Sequence, residues 1–474
     1  MAETLYAGFA RVDITPEVGG VPLAGYGGYL DAAKRLAARV LDPIYCNAVA
    51  LKGGDETCVM LTLDICEVHY NVFYPWRDAI CEATGLPKER VFIGSTHTHS
   101  SIDICAEKVP SVKHYNKEEM PVKLVEAARR ALTDLKPAKI FYGSMEVGTP
   151  ELRLNWTRHY LSVEKEKVND WKPEDLHVML GEYTQKKGYV PVAHHGETDH
   201  SLQLLRLVRE NADDIILLNF AAHATITGGT RKGDLSADFT EAFIHRLEEL
   251  QPGTKCTFLQ GCCGNLVGGT RIAKEGIPGV TFGKYRDYRA YGSALAGYAM
   301  EIIDAGLTES ETSTLSVAHC DYTAKPDHSM DELAKKATPI LEKNRHVVTK
   351  EQEQEIRDLC HENGFYGGIY HCIYAYKKSQ WPETGTFEIN AIRLGDCAIV
   401  TNPFEMFSET GLHIKSASPF AMTMVKSFSC GYENYLPAKG AFDRCYEVNV
   451  THYELGTAEK LEEKFHEMLC ELKK

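Results

Sequence analysis

The residues best suited to chemistry are histidines and a glutamate that each follow a short apolar run. His97 and His99 lie one residue apart in Val91-Phe92-Ile93-Gly94-Ser95-Thr96-His97-Thr98-His99-Ser100-Ser101-Ile102-Asp103. Val91, Phe92 and Ile93 read as a buried strand, which Gly94 and Ser95 break. In extended chain, residues i and i+2 point to one side. Two imidazoles on one side at a strand's end can face one metal ion or one reacting atom. The carboxyl ends of strands are also where open α/β sheets place their ligands. Two exposed loop histidines would look the same, because His-x-His is a weak motif.

Two more strand ends repeat the arrangement. Asp214-Ile215-Ile216-Leu217-Leu218-Asn219-Phe220 leads into Ala221-Ala222-His223, and a strand over 397–401 leads into Asn402-Pro403-Phe404-Glu405. Singly, His223 reads as a hydrogen-bonded core group, and Glu405 as an acid favoured by a helix dipole. Together with His97 they form two imidazoles and a carboxylate, the ligand set of many hydrolytic zinc sites that keep a position for water. Zinc lowers the pKa of that water toward ~7.

Other clusters carry less. The strand 257–260 enters Gly261-Cys262-Cys263-Gly264-Asn265, a small-residue turn whose N–H groups suit an oxyanion hole. The vicinal cysteines have no histidine or basic residue near in sequence, so packing is the better reading for them. His194-His195-Gly196-Glu197-Thr198-Asp199-His200 has metal-binding residue types without a spacing that aims them, and reads as a solvated loop. Cys360-His361 and His371-Cys372 fit no zinc spacing. Asp64 ends a strand and is expected at the same edge as His97.

The elements that must position these residues are legible as periodic runs. Expected strands lie at 7–16, 45–51, 58–63, 91–95, 139–144, 152–156, 202–208, 214–220, 257–260, 314–322, 386–394 and 397–401. Expected helices lie at 72–84, 117–134 (stripe Val122, Val125, Ala128, Leu132), 238–250, 284–305, 330–343, 350–362 and 457–472, with another after Glu405. Residues 161–200 are expected to be turn-rich, 19–28 an irregular glycine loop, and 428–446 a tyrosine-rich loop. The chain has 474 residues, 44% hydrophobic and 25% charged. With no internal repeat or linker, it reads as one α/β unit over 1–474, a large mixed sheet flanked by helices. A net charge of −14 argues against nucleic acid, which calls for a basic face. No run reaches the ~18 apolar residues of a membrane span. No export signal is visible, so the 15 cysteines read as reduced thiols and the protein as cytoplasmic.

Several separated stretches resemble the neutral (non-lysosomal) ceramidase family. They are Gly8 to Pro16, Asp42-Pro43-Ile44-Tyr45, Thr96-His97-Thr98-His99-Ser100, Asn219-Phe220-Ala221-Ala222-His223, Asp234 to Phe239, Pro403-Phe404-Glu405 with Gly411, Gly431 to Pro437, and Tyr446-Glu447. The resemblance spans Ala7 to about Glu447 and implies one catalytic Zn2+ held by His97, His223, Glu405 and Tyr435. It implies that His99 faces the substrate carbonyl, and that an arginine, Arg158 or else Arg153, stands beside it. Asp64 or Asp238 would then orient a ligand imidazole.

The departures shape the functional expectation. Gly261, beside Cys262, stands where the family's ceramide hydrolases carry serine. Ser101-Ile102 replaces Gly-Pro. The segment 320–385 diverges most and reads as an insertion. No C-terminal immunoglobulin-like domain follows. The expectation is a catalytic-domain-only relative, a zinc amidohydrolase in which water attacks directly. Its substrate would be an N-acyl compound, lipid-like or a smaller soluble amide. The same site acting on esters or lactones or in proton transfer, and a non-catalytic protein with structural zinc, stay as alternatives. A homo-oligomer also stays open.

Overall fold

The computed structural model describes residues 4–25, 35–148, 154–180, 188–230, 233–268, 287–343, 358, 362, 369–441 and 446–474. Arg153, Cys360, His361 and most of the expected helix 350–362 lie outside them.

Apolar runs too long for one exposed face build a nine-stranded mixed sheet. From one edge its strands run Thr254–Gln260, Asp214–Phe220, Ser201–Arg209, Lys136–Glu146, Leu5–Asp13, Tyr45–Gly53, Glu56–Leu63 and Val91–Ser95, with Thr308–Glu309 added beside Lys136–Glu146. The inner pairs are antiparallel and both outer pairs parallel. Each parallel pair needs a crossover helix. Tyr70–Thr84 serves one edge and Phe239–Leu250 the other. The strands that end before His97 and His223 therefore belong to two crossover units at opposite edges.

A second sheet closes this arrangement. Its strands are Leu315–Ala324, Gly385–Leu394, Cys397–Thr401 and Met422–Lys426. Ile392, Leu394, Ile399 and Met424 join the core cluster of the large sheet and the helices Tyr70–Thr84 and Met120–Thr133. Phe387, Ile389 and Val400 pack with Leu461 and Phe465 of the helix Thr457–Lys473. A third cluster sets Leu204, Ile216 and Leu218 against Phe243 and Leu295, from Phe239–Leu250 and Tyr288–Asp304. No helix among the described residues is long and apolar enough to cross a membrane.

The α/β class and most element positions follow the sequence expectations, with three differences. Residues 161–200 are not mainly loop: His159–Glu164, His177–Leu180 and Tyr189–His194 form a three-stranded sheet. Only a few of its residues, Val163 among them, are buried, so the apolar signal is thin. The helix Met120–Thr133 buries Met120, Leu124, Ala127, Ala128 and Ala131, while Val122 is 66% exposed. Of the expected stripe Val122 alone points out: Ala128 is buried and Val125 and Leu132 pack half-buried against the core, while Met120, Leu124, Ala127 and Ala131 centre the buried face on small residues that carry little sequence signal. The strand Met422–Lys426 and the helix Ile369–Ser379 were not anticipated.

A buried ion pair ties the two sheets together. Arg77 Nη1 of Tyr70–Thr84 donates to both carboxylate oxygens of Glu388, at 2.7 and 2.6 Å, and both side chains are nearly inaccessible. Removing one partner strands a buried charge, which costs about 3–5 kcal/mol. Arg77→Ala is expected to lower the thermal midpoint sharply, and Arg77→Met with Glu388→Leu to recover much of the loss; calorimetry of the three proteins checks this.

Candidate metal centre

His97 follows the strand Val91–Ser95 and adopts a left-handed backbone, φ 60°. The extended geometry expected of His97 and His99 is therefore broken at the first histidine. The Thr96 N–H donates to the Leu63 carbonyl at 2.9 Å, and the His99 N–H to the Ala224 carbonyl at 2.9 Å. The second contact joins the two strand ends directly, with Thr98 bridged to Ala224. His223, in turn, is bridged to Val267.

Both imidazoles are held by backbone carbonyls. His97 Nδ1 lies 2.8 Å from the Cys66 carbonyl oxygen, and His223 Nδ1 lies 2.8 Å from that of Leu266. A carbonyl only accepts, so each Nδ1 carries the proton and each Nε2 is left to face inward. The two Nε2 atoms lie 3.4 and 3.1 Å from Glu405 Oε2. His97, His223 and Glu405 are 2, 2 and 3% exposed. Ligands ~2.0–2.1 Å from a tetrahedral ion stand about 3.3 Å apart. The donor set and its spacing therefore fit zinc: two imidazole nitrogens and a carboxylate oxygen within 4.8 Å of one another, the His97 proton leaving when a cation enters.

Burial opposes charge on His97, but the Glu405 carboxylate beside it holds its pKa above the usual value. Burial lowers His223. Burial also works against the Glu405 carboxylate, yet His97 and His223 hold it well below its ordinary range. A negative charge surrounded by imidazoles in a dry pocket is what a cation site requires.

His99 completes the group. Its Nε2 is 3.1 Å from His97 Nε2. Burial, then the neighbouring imidazoles, push it well below the usual histidine range, so it is neutral. Gly25 lies against the ring: a Cβ there would meet the His99 Cγ at 2.3 Å, and its φ of +91° also favours glycine.

Glu405 starts a two-residue strand, Glu405–Met406, paired in parallel with Tyr435–Leu436, so Glu405 and Tyr435 are neighbours in register. Tyr435 is buried, and its ring lies 5.4 Å from Arg158 Cζ. Arg158 Nε donates to Glu447 Oε1 at 2.5 Å, and His159 Nε2 contacts the same oxygen at 3.1 Å. Arg158 is thus anchored by Glu447 beside Tyr435. The residue that sequence reasoning missed is Tyr432. Its hydroxyl donates to Glu405 Oε1 at 2.6 Å. It leaves Oε2 to the imidazoles. Its only sequence signal was its place in the tyrosine-rich loop.

Other expected residues do not converge. Asp64 accepts from the Tyr45 N–H and the Thr96 hydroxyl, and Asp238 caps Phe239–Leu250 and accepts from the Thr227 N–H. Neither takes the imidazole contact expected of it; the carbonyls of Cys66 and Leu266 do. The Gly261 N–H donates to the Phe220 carbonyl, so it is not an oxyanion donor. A Cβ at Gly261 would sit 3.0 Å from the Ala221 Cα, Cβ and N, so a serine there would require Ala221 to yield by a few tenths of an ångström. Cys262 packs in the apolar cluster with Ile414 and Phe404, and burial pushes its thiol up to about 12. Within 194–200, His194 contacts the Thr157 carbonyl, His200 Asn155, and Asp199 Lys415, so they point apart.

The fold is neutral-ceramidase-like. The crystal structure of neutral ceramidase from Pseudomonas aeruginosa matches 99% of this chain with a TM-score of 0.69 at 18% identity, over 74% of that chain. A ceramidase structure described as complexed with C2 matches 99% of this chain with the same score at 17% identity, over 75% of that chain. No family model and no curated protein matches the sequence.

The Tyr432 contact yields a direct test. Removing a group that orients a metal ligand typically weakens the metal about 10–100-fold. Tyr432→Phe is expected to weaken zinc by that amount in equilibrium dialysis while leaving the fold intact.

Proposed function

We propose that this chain is a zinc-dependent hydrolase that cleaves the C–N amide bond of an N-acyl compound. The observation that carries the reading is the convergence of His97, His223 and Glu405 on one point within hydrogen-bond distances. The likeness of the fold to the ceramidase structures supports the choice of reaction.

Zinc bound there would polarise the scissile carbonyl and make water nucleophilic near neutral pH. His97, His223 and Glu405 would hold it, and Tyr435, in register beside Glu405, would be the candidate fourth ligand. His99 is neutral, so its ring N–H donates to the tetrahedral oxyanion without carrying a competing charge. Arg158, fixed by Glu447, would supply a positive charge near His223 and Glu405. No serine at position 261 intervenes, so water attacks directly. Tyr432 keeps Glu405 from turning away. The acidic chain suits a small neutral or lipid-like N-acyl substrate in solution rather than nucleic acid.

A structural metal is the second reading, favoured by the deep burial of all three donors. His99 separates the two. His97→Ala is expected to abolish both zinc content and amide hydrolysis on a panel of N-acyl compounds of graded chain length. His99→Ala is expected to keep the zinc and lose about 10²–10³ in kcat. Full activity in either variant overturns the assignment. Matched esters cleaved in preference to amides would move the enzyme to the ester class.

A further inference from the structure

We propose that Glu67, His69 and Cys105 form a second cation site, at the rim of the first, for an exchangeable thiophilic divalent ion. One ligand atom from each residue lies within 4.8 Å of the other two. Glu67 and His69 lie between the strand Glu56–Leu63 and the helix Tyr70–Thr84, next to Cys66, whose carbonyl holds His97. His69 Nε2 is 3.7 Å from Glu67 Oε1, and the two side chains are 35 and 16% exposed. Cys105 is exposed. Ions in solution therefore reach all three.

The local charge favours a cation. Glu67, Asp103 and Glu107 all bear on Cys105, opposed by Lys377. Glu107 is engaged by the Asn71 amide at 3.0 Å and Asp103 by the Cys105 N–H at 3.0 Å, while Glu67, His69 and Cys105 are the residues whose ligand atoms converge. A thiolate, an imidazole and one carboxylate suit zinc or cadmium; magnesium and calcium want oxygen donors. Binding forms a metal–sulfur bond and releases the Cys105 thiol proton to solvent.

The outer site differs from the inner one in tightness. Bonds of ~2.0–2.3 Å place tetrahedral ligands about 3.3–3.6 Å apart. The His69–Glu67 separation of 3.7 Å is wider than the 3.4 and 3.1 Å of the inner site, and its residues are more exposed, so the ion is held more loosely and the remaining positions go to water. The site also adjoins the first through Tyr432. The His69 ring packs edge-on against Tyr432, 5.0 Å between centroids, and Tyr432 donates to Glu405.

Cobalt(II) and cadmium(II) titrations of the full chain test the proposal, because thiolate ligation gives a near-ultraviolet charge-transfer band. In the unmodified protein loaded beforehand with zinc at the inner site, the band is expected to saturate at one further equivalent. Cys105→Ser should lose it, and His69→Ala should weaken the ion at least about 10-fold. Zinc should also slow the reaction of Cys105 with a disulfide reagent. No band in the unmodified protein, or a band that persists in Cys105→Ser, overturns the proposal. Cys105 is exposed, so an unchanged thermal midpoint in Cys105→Ser rules out misfolding as the cause of a lost band. The readout is ligation rather than turnover, so it stands or falls separately from the hydrolase reading.

Discussion

The structure depends on one short segment that ties both edges of the large sheet. The Ser427 N–H donates to Gln260 on one edge strand, and on the other edge the Phe428 carbonyl accepts from Ser95 while the Cys430 N–H donates to Ile93. Phe428 and Cys430 take left-handed backbone conformations, φ 55° and 62°, to make these turns. The same Phe428 ring stacks on His97, with centroids 4.0 Å apart. Closing the sheet and orienting the first imidazole are therefore one event. Histidines carried by opposite edges meet because the edges are brought together, and Glu405 enters from the second sheet that supplies the tie.

The strand ends were legible in the sequence because buried apolar runs are the strongest local signal a chain carries. Val91–Ser95 and Asp214–Phe220 are buried almost throughout, and each announces where its histidine must lie. The three-stranded sheet within 159–194 was not legible, because the buried positions of His159–Glu164 do not alternate and Tyr189–His194 is mostly half-buried, so neither shows a period of two. The helix Met120–Thr133 was found, but not the centre of its inward face, since alanine is equally at home on either side of a helix.

At the centre itself, legibility ended where backbone took over from side chain. Asp64 and Asp238 were reasonable candidates to orient an imidazole, because carboxylates often do. Carbonyls of Cys66 and Leu266 do it instead. Every residue owns a carbonyl, so no residue type marks that role. Tyr432 was hidden for a related reason. Its contact with Glu405 depends on the path of a loop, while its type matches that of several nearby tyrosines. The turn at Gly261 shows the converse: its glycine is explained by the nearness of Ala221, whatever chemistry relatives perform there.

The left-handed backbone of His97 has a consequence for which ions the centre can accept. A non-glycine residue held in that region stores about 1–3 kcal/mol and persists only where its surroundings over-determine it. Here a carbonyl on one side and a stacked ring on the other leave the imidazole a single orientation. Copper(II) generally binds nitrogen and oxygen sites more tightly than zinc but prefers a flattened, tetragonal arrangement. Under the zinc reading proposed above, a ligand frame that cannot flatten would withhold that advantage, and discrimination between ions would rest on stiffness rather than on the identity of the donor atoms.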